Sequence, residues 1–121
     1  MRHLLSVVVS VYNEEEALAQ FYQVTEGILN TISWDYELVF VNDGSRDQSL
    51  SILNRLADSN PKVKVVSFSR NFGHEAAMIA GIDYSQGDGI ICMDADLQHP
   101  PACIPEIIRR FEAGYEVINM V

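Results

Sequence analysis

The chain has 121 residues, a length typical of one domain. Hydrophobic residues make up 48% of it and charged residues 21%, a composition that predicts a folded core rather than disorder. The formal net charge is −9, which argues against a general nucleic-acid binder, because such proteins present a basic surface. A phosphorylated ligand is still compatible with this charge if a divalent cation or local N–H groups offset it.

The cysteine pattern and hydropathy argue against a disulfide-linked, zinc-binding, membrane-spanning or secreted chain. Cys92 lies in an apolar run and Cys103 in or just before a predicted helix. They could form one bridge, but we expect both thiols to be reduced. No cysteine–histidine pair has the spacing of a zinc site. No apolar stretch approaches the roughly 20 residues of a membrane span, and the N-terminal run lacks the cleavage site of a signal peptide.

Strand and helix patterns alternate along the chain. The first strand is β-branched and almost wholly apolar, which is typical of a strand buried on both faces of a parallel sheet. Ser45 and Gln48 match a capping box at the start of the second helix. The pattern predicts an open, mostly parallel α/β sheet with helices on both faces. The predicted strands are residues 4–11, 36–41, 63–68, 89–93 and 115–121, and the first helix covers roughly residues 15–32.

The fifth predicted strand runs to the last residue of the sequence. We therefore expect a single domain, residues 1–121, that is a piece of a longer protein. An edge strand cut from a larger sheet would favour self-association of this chain.

Polar residues follow each of the first four predicted strands. In an open parallel sheet, ligands bind beyond the carboxyl ends of the strands, so these residues predict one site at one edge. The residues after the four strands are, in order, Tyr12, Asn13 and Glu14; Asn42, Asp43 and Gly44; Ser69, Arg70 and Asn71; and Asp94, Asp96 and Gln98.

The last of these groups has the pattern D-x-D. Asp94 and Asp96 would project from the same side of an extended segment, about 6–7 Å apart. One can then reach a ligand hydroxyl while the other holds Mg²⁺ or Mn²⁺, with Gln98 as a neutral oxygen ligand. A D-x-D that only caps a turn is the alternative, and the other three loops favour the site.

Several neighbours admit two interpretations. Asp43 is either a turn residue or an acceptor for a nucleobase, and we favour the latter. Glu14 either stabilises a helix N-terminus or contacts a ligand. Arg70 would pair with a carboxylate or reach a phosphate. His74 is more typical of a structural or solvated residue, and His99 is a weaker candidate for a role near the metal.

Four motifs together resemble glycosyltransferase family 2, and in particular its polyprenyl-phosphate branch, which includes dolichyl-phosphate mannosyltransferase and bactoprenol glucosyltransferase. The resemblance covers nearly the whole chain. It implies a GT-A-type, Rossmann-like fold, a UDP- or GDP-linked sugar donor, a divalent metal, and inverting transfer to a lipid phosphate at the cytoplasmic membrane face. The motifs are "SVVVSVYNEEE", "ELVFVNDGSRD", "SFSRNFGHEAAMIAGI" and "GDGIICMDADLQHPP".

Matched by position, the resemblance gives roles to individual residues. Tyr12 and Glu14 would border the nucleoside and Asp43 would bind its base. Asp94 would lie near the ribose and the sugar phosphate, and Asp96 and Gln98 would ligate the metal with the diphosphate. The family's loop after the third strand is matched by Arg70, Asn71 and Gly73.

Two positions depart from the family pattern. The family often has an acidic residue where His99 stands and another where Ala102 stands, which puts donor preference in doubt. The resemblance implies that the attacking group is a phosphate oxygen, which is largely ionised at neutral pH and would need no strong base. We therefore assign no catalytic residue.

Three rival functions fit the sequence less well. A phosphoacceptor receiver domain would need an aspartate after the third strand and a lysine after the fifth, and neither is present. A dinucleotide-binding domain would need G-x-G-x-x-G in the first turn, and "YNEEEA" has no glycine. The third rival is a module that binds nucleotide sugar or self-associates without turnover.

Overall fold

The computed structural model describes residues 3–95, 103–112 and 117–119. Within these residues, strands and helices alternate in the order that the sequence predicts. The strands are β1 Leu4–Val11, β2 Asp35–Asn42, β3 Val63–Ser67, β4 Gly89–Asp94 and β5 Val117–Asn119. The helices are α1 Leu18–Leu29, α2 Ser49–Ser59, α3 His74–Tyr84 and α4 Ile104–Glu112.

The five strands form one parallel sheet in the order β3-β2-β1-β4-β5. The chain leaves β1 toward β2 on one side and leaves β4 toward β5 on the other. The topological switch point therefore lies between the carboxyl ends of β1 and β4, which is where open α/β sheets bind ligands. The predicted fold class is confirmed.

Side chains alternate between two cores, one on each face of the sheet. The larger core joins the odd-numbered β1 residues, such as Val7 and Val9, to α1, α2 and α4. The smaller core joins the even-numbered Val8 to α3 through Ala77 and Met78. Helices on both faces explain why the β1 sequence is almost wholly apolar, since neither face is left to solvent.

The α3 helix lies very close to the sheet. A Cβ atom built on Gly81 would come within 2.3 Å of Val8 Cγ1 and 3.1 Å of Val41 Cγ2. A glycine is needed here because any larger residue would push the helix away from the strands. This close contact fixes the position of the α3 N-terminus above the carboxyl edge of the sheet.

Two local predictions are corrected. The capping box at Ser45 and Gln48 was wrong, because α2 begins at Ser49 without a side-chain cap from Gln48. The Ser45 side chain instead accepts a hydrogen bond from the Asn13 N–H at 3.0 Å. The first helix is shorter than expected, because residues before Leu18 form turns.

Both cysteines are free, with Cys92 buried and Cys103 exposed just before α4. None of the helices in the described ranges combines the length and apolar character needed to cross a membrane.

The two thiols are expected to react at different rates. Burial raises the pKa of Cys92, so its reactive thiolate is scarce as well as inaccessible. Iodoacetamide should modify Cys103 at least about tenfold faster than Cys92 in the native protein, measured by mass spectrometry. The variant Cys103→Ser should take up label only after denaturation; rapid labelling of this folded variant would contradict the buried position of Cys92.

Candidate functional site

The loops that follow β1, β2 and β3 meet at the carboxyl edge of the sheet, as does the end of β4. Parallel pairing places Ser10 beside Asp94 and Val11 beside Asn42, so the loops after these strands start at the same level. The sequence prediction that polar residues gather at one edge therefore agrees with the topology for all four described strand ends.

The loop after β1 is attached to the loop after β2 by hydrogen bonds from main-chain N–H groups to side-chain oxygens. Asn13 has a φ of +52°, a conformation that asparagine tolerates better than most residues. Its side-chain oxygen accepts the Arg46 N–H at 2.8 Å, and the Glu14 N–H donates to Ser49 Oγ at 2.9 Å. The described contacts of the Asn13 side chain thus join two loops of the site.

Asp47 adds to the attachment of these two loops. Its carboxylate accepts the Glu15 N–H at 3.2 Å and the Ser49 N–H at 2.9 Å. Desolvation alone would raise the pKa of Asp47, but hydrogen bonds from Ser49 and from main-chain N–H groups outweigh it and lower that pKa. The carboxylate is therefore charged, and holds both loops, at neutral pH.

Asp43 is buried, with an exposed fraction of 3%, and connects β2 to the loop before α3. Its carboxylate accepts the Phe72 N–H at 2.7 Å, the Gly73 N–H at 3.1 Å and the Asn71 side-chain amide at 3.3 Å. These contacts satisfy a buried charge and leave it little surface for a ligand. Asp43 also lines a cavity of about 220 Å³, together with Tyr12 and His74.

Gly44 allows the loop after β2 to approach the loop after β3. Its φ is +69°, and a Cβ atom there would lie 2.2 Å from the Arg70 carbonyl carbon and 2.3 Å from the Asn71 nitrogen. Both neighbours are main-chain atoms, so no side-chain movement could make room. The glycine is required by its conformation and by this close approach.

A cavity of about 400 Å³ opens between these loops. Its lining mixes polar and apolar groups and includes two arginines, although the chain as a whole is strongly acidic. Among the described residues, neither guanidinium is paired with a carboxylate; that of Arg70 lies 4.6 Å from the centre of the Phe72 ring. Residues that carry cationic and hydrogen-bonding groups therefore line the cavity. Its lining includes Tyr12, Ser45, Arg46, Ser67, Ser69 and Arg70.

Asp94 closes the site on the β4 side. Its Oδ1 lies 2.9 Å from His74 Nε2 and accepts a hydrogen bond from Ser10 Oγ at 3.3 Å. Both the carboxylate and the imidazole are partly exposed, at 35% and 44%. Asp94 is thus held in place at the switch point between β1 and β4.

The predicted metal ligands Asp96 and Gln98 lie outside the described residues, as does His99. Within the described part of the chain, no group of three or more histidine, cysteine, aspartate or glutamate side chains is arranged to hold a metal ion. Among the described residues, Asp94 offers the hard carboxylate oxygens that such an ion prefers, at the end of β4 and two residues before Asp96.

Sequence reasoning missed several residues of the site. It did not single out Arg46, which follows Asp43 in the same loop and could have been found by extending the strand-end rule three residues further. It interpreted His74 as a structural or solvated residue, because no local pattern shows that the start of α3 meets the end of β4.

The sequence matches the profile described as Glycosyl transferase family 2 over residues 6–121. The chain belongs to this family. The uncharacterized glycosyltransferase YkcC of Bacillus subtilis is 48% identical over 121 residues, which is 99% of this chain and 38% of that protein. The prophage bactoprenol glucosyl transferase homolog of Escherichia coli is 46% identical over 114 residues, 94% of this chain and 37% of that protein. The chain thus spans less than two fifths of the length of these two family members.

Solved structures support the same fold class. TarS 1-349 from S. aureus superposes with a TM-score of 0.67 at 24% identity, covering 88% of this chain and 33% of that chain. The mannosyltransferase PcManGT from Pyrobaculum calidifontis, in complex with GDP-Man and Mn²⁺, superposes with a TM-score of 0.69 at 22% identity. The match covers 79% of this chain and 28% of that chain. These proteins are GT-A glycosyltransferases, and the chain has their α/β fold.

Replacing Gly44 by alanine should destabilise the fold. The added methyl group meets main-chain atoms at a positive φ, and we expect a loss of about 1–3 kcal/mol in the free energy of unfolding, measured by urea denaturation. The matched control is Gly27→Ala inside α1, where no atom lies within 4 Å of the new Cβ; it should gain up to about 1 kcal/mol. Equal stability of the two variants would show that the loops separate easily.

Removing the charge of Asp43 should loosen the loop before α3. In Asp43→Asn, an amide group replaces one acceptor among the N–H donors of Phe72 and Gly73, at a cost of about 1–3 kcal/mol in unfolding free energy. Asp58→Asn, on the exposed surface of α2, should change it by less than about 0.5 kcal/mol. If Asp43→Asn were as stable as that control, the carboxylate would not hold the loop.

Proposed function

We propose that residues 1–121 form the donor-binding domain of an inverting, metal-dependent glycosyltransferase. The donor would be a UDP- or GDP-linked sugar and the acceptor a polyprenyl phosphate at the cytoplasmic face of the membrane. The observation that supports this most directly is the cavity lined by Arg46 and Arg70, which lies at the strand ends of a chain that belongs to glycosyl transferase family 2.

The cavity is suited to an anionic nucleotide. Two guanidinium groups unpaired within the described residues supply positive charge where an acidic chain would otherwise repel a diphosphate. In our proposal Tyr12 and Glu14 border the nucleoside, while Arg70 and Asn71 face it from the loop before α3. A neighbour of the same fold is described as a complex with UDP-GlcNAc, and another as a complex with GDP-Man and Mn²⁺.

Asp43 would act on the nucleobase mainly indirectly, through the loop before α3. Its carboxylate accepts hydrogen bonds from three N–H donors of the loop before α3, so its main effect would be to fix the position of that loop. Asn13 would act in the same way, since its side chain joins the first two loops. Direct contact of Asp43 with the base stays part of the proposal.

Asp94 would face the ribose and the sugar phosphate, and Asp96 and Gln98 would hold Mn²⁺ or Mg²⁺. The bound ion would stabilise the negative charge of the departing diphosphate. An ionised oxygen of the acceptor phosphate would form the new bond to the anomeric carbon as the bond to the diphosphate breaks, which inverts the configuration. The residues of this chain would then contribute orientation of the donor rather than proton transfer, and we assign no general base.

The acceptor assignment rests on the named relatives. One of them is a bactoprenol glucosyl transferase homolog, whose name indicates a lipid-linked acceptor. Because the chain spans 38% of the length of its relative YkcC, a second function is also supported: these residues alone would bind nucleotide sugar without turnover.

Calorimetric titration of UDP and of GDP, each with and without Mn²⁺, tests the donor site. We expect metal-dependent binding of one nucleotide, and a loss of at least about tenfold in affinity in Asp96→Ala because the diphosphate would lose its bound cation. The control is Asp58→Ala, which removes an exposed carboxylate near the end of α2.

The outcomes of this titration separate the alternatives. Binding with equal affinity in wild type and Asp96→Ala would contradict the metal assignment. No binding of either nucleotide by folded wild-type protein would contradict a donor site formed by this chain. Binding without sugar transfer to a lipid phosphate would favour the second function.

A further inference from the structure

The contact between His74 and Asp94 joins two elements that are distant in sequence. His74 is the first residue of α3 and Asp94 is the last residue of β4, and their side chains meet at 2.9 Å. A carboxylate can only accept a hydrogen bond, so the imidazole Nε2–H is the donor. Ser10 donates to the same oxygen from the neighbouring strand at 3.3 Å, a longer and weaker bond.

Strand alternation explains why Asp94 faces this helix. Cys92 belongs to the core between the sheet and α3, and Asp94 lies two residues further along the same face. On β1, Val8 and Ser10 follow the same rule. The polar contact between Asp94, Ser10 and His74 therefore lies on the same face of the sheet as the apolar core under α3, at the carboxyl ends of β1 and β4.

The position of His74 is determined by rigid neighbours. On one side, the preceding Gly73 has a φ of +106° and donates its N–H to the buried Asp43 carboxylate. On the other side, α3 packs directly against Val8, which is possible because Gly81 has no side chain. The imidazole therefore approaches Asp94 from a fixed backbone, although its ring is 44% exposed.

We propose that His74 is a positioning residue that holds the Asp94 carboxylate in the orientation required for donor binding. This inference rests on the proposed function, in which Asp94 faces the ribose and the sugar phosphate. The imidazole holds Oδ1 and thereby fixes the plane of the carboxylate. Without the imidazole, the partner of Asp94 that remains among the described residues is the weaker Ser10 bond, so this partly exposed carboxylate would rotate and lose part of its preorganisation.

Four variants test the inference in the nucleotide titration with Mn²⁺. His74→Leu removes the donor, His74→Asn keeps an amide that is too short to reach, and His74→Gln keeps an N–H donor at nearly the reach of Nε2. We expect about 2- to 10-fold weaker binding in the first two variants, the range for one lost hydrogen bond, and near wild-type binding in His74→Gln. In an Asp94→Ala background, His74→Leu should cause no further loss.

A spectroscopic measurement checks the contact without any ligand. In ¹⁵N-labelled protein, the imidazole signals of wild type should show a proton fixed on Nε2, and this preference should disappear in Asp94→Ala. His3, at the opposite edge of the sheet, gives an internal reference whose signals should not change.

Each result supports or overturns the role of His74. Equal affinity of wild type and His74→Leu, or equal losses in His74→Leu and His74→Gln, would overturn it while leaving nucleotide binding intact. A further loss from His74→Leu in the Asp94→Ala background would also overturn it, because His74 would then act independently of Asp94. If wild-type protein binds neither nucleotide, the proposed function fails and this role fails with it.

Discussion

The buried carboxylate of Asp43 is the interaction on which the rest of the site depends. A charge with an exposed fraction of 3% is tolerated only when its oxygens are hydrogen-bonded, and here the donors come from the loop before α3. The same contact fixes the position of that loop. It thereby also positions Arg70, which lines the cavity, and His74, which begins α3. One residue at the end of β2 thus organises groups that follow β3.

In the proposed function an acidic protein binds an anionic ligand, and the distribution of charge makes the two compatible. The net charge of −9 is the sum over the whole chain, whereas Arg46 and Arg70 both line the cavity of about 400 Å³. Local potential rather than net charge governs binding in a cleft with low-dielectric walls. The position of the two arginines is therefore compatible with the anionic donor of the proposed function.

The sequence was most informative where periodicity determines structure. The apolar run of β1 predicted a strand buried on both faces, and the alternation of strands and helices predicted the parallel sheet. Local patterns failed where a distant partner competes, as at Ser45, which bonds to Asn13 instead of capping α2. The contact between His74 and Asp94 could not be predicted either, because it depends on how closely α3 packs on the sheet.

The hydrogen bonds between the first two loops constrain how this site can be altered. Asn13 binds the main chain of Arg46, and Asp47 binds the main chain of Glu15, so each loop supplies side chains that shape the other. A loop transplanted alone from a relative would leave its partner's donors and acceptors unmatched. Under the proposed function, donor preference would be a property of the loop pair, and a chimera would have to exchange both loops together.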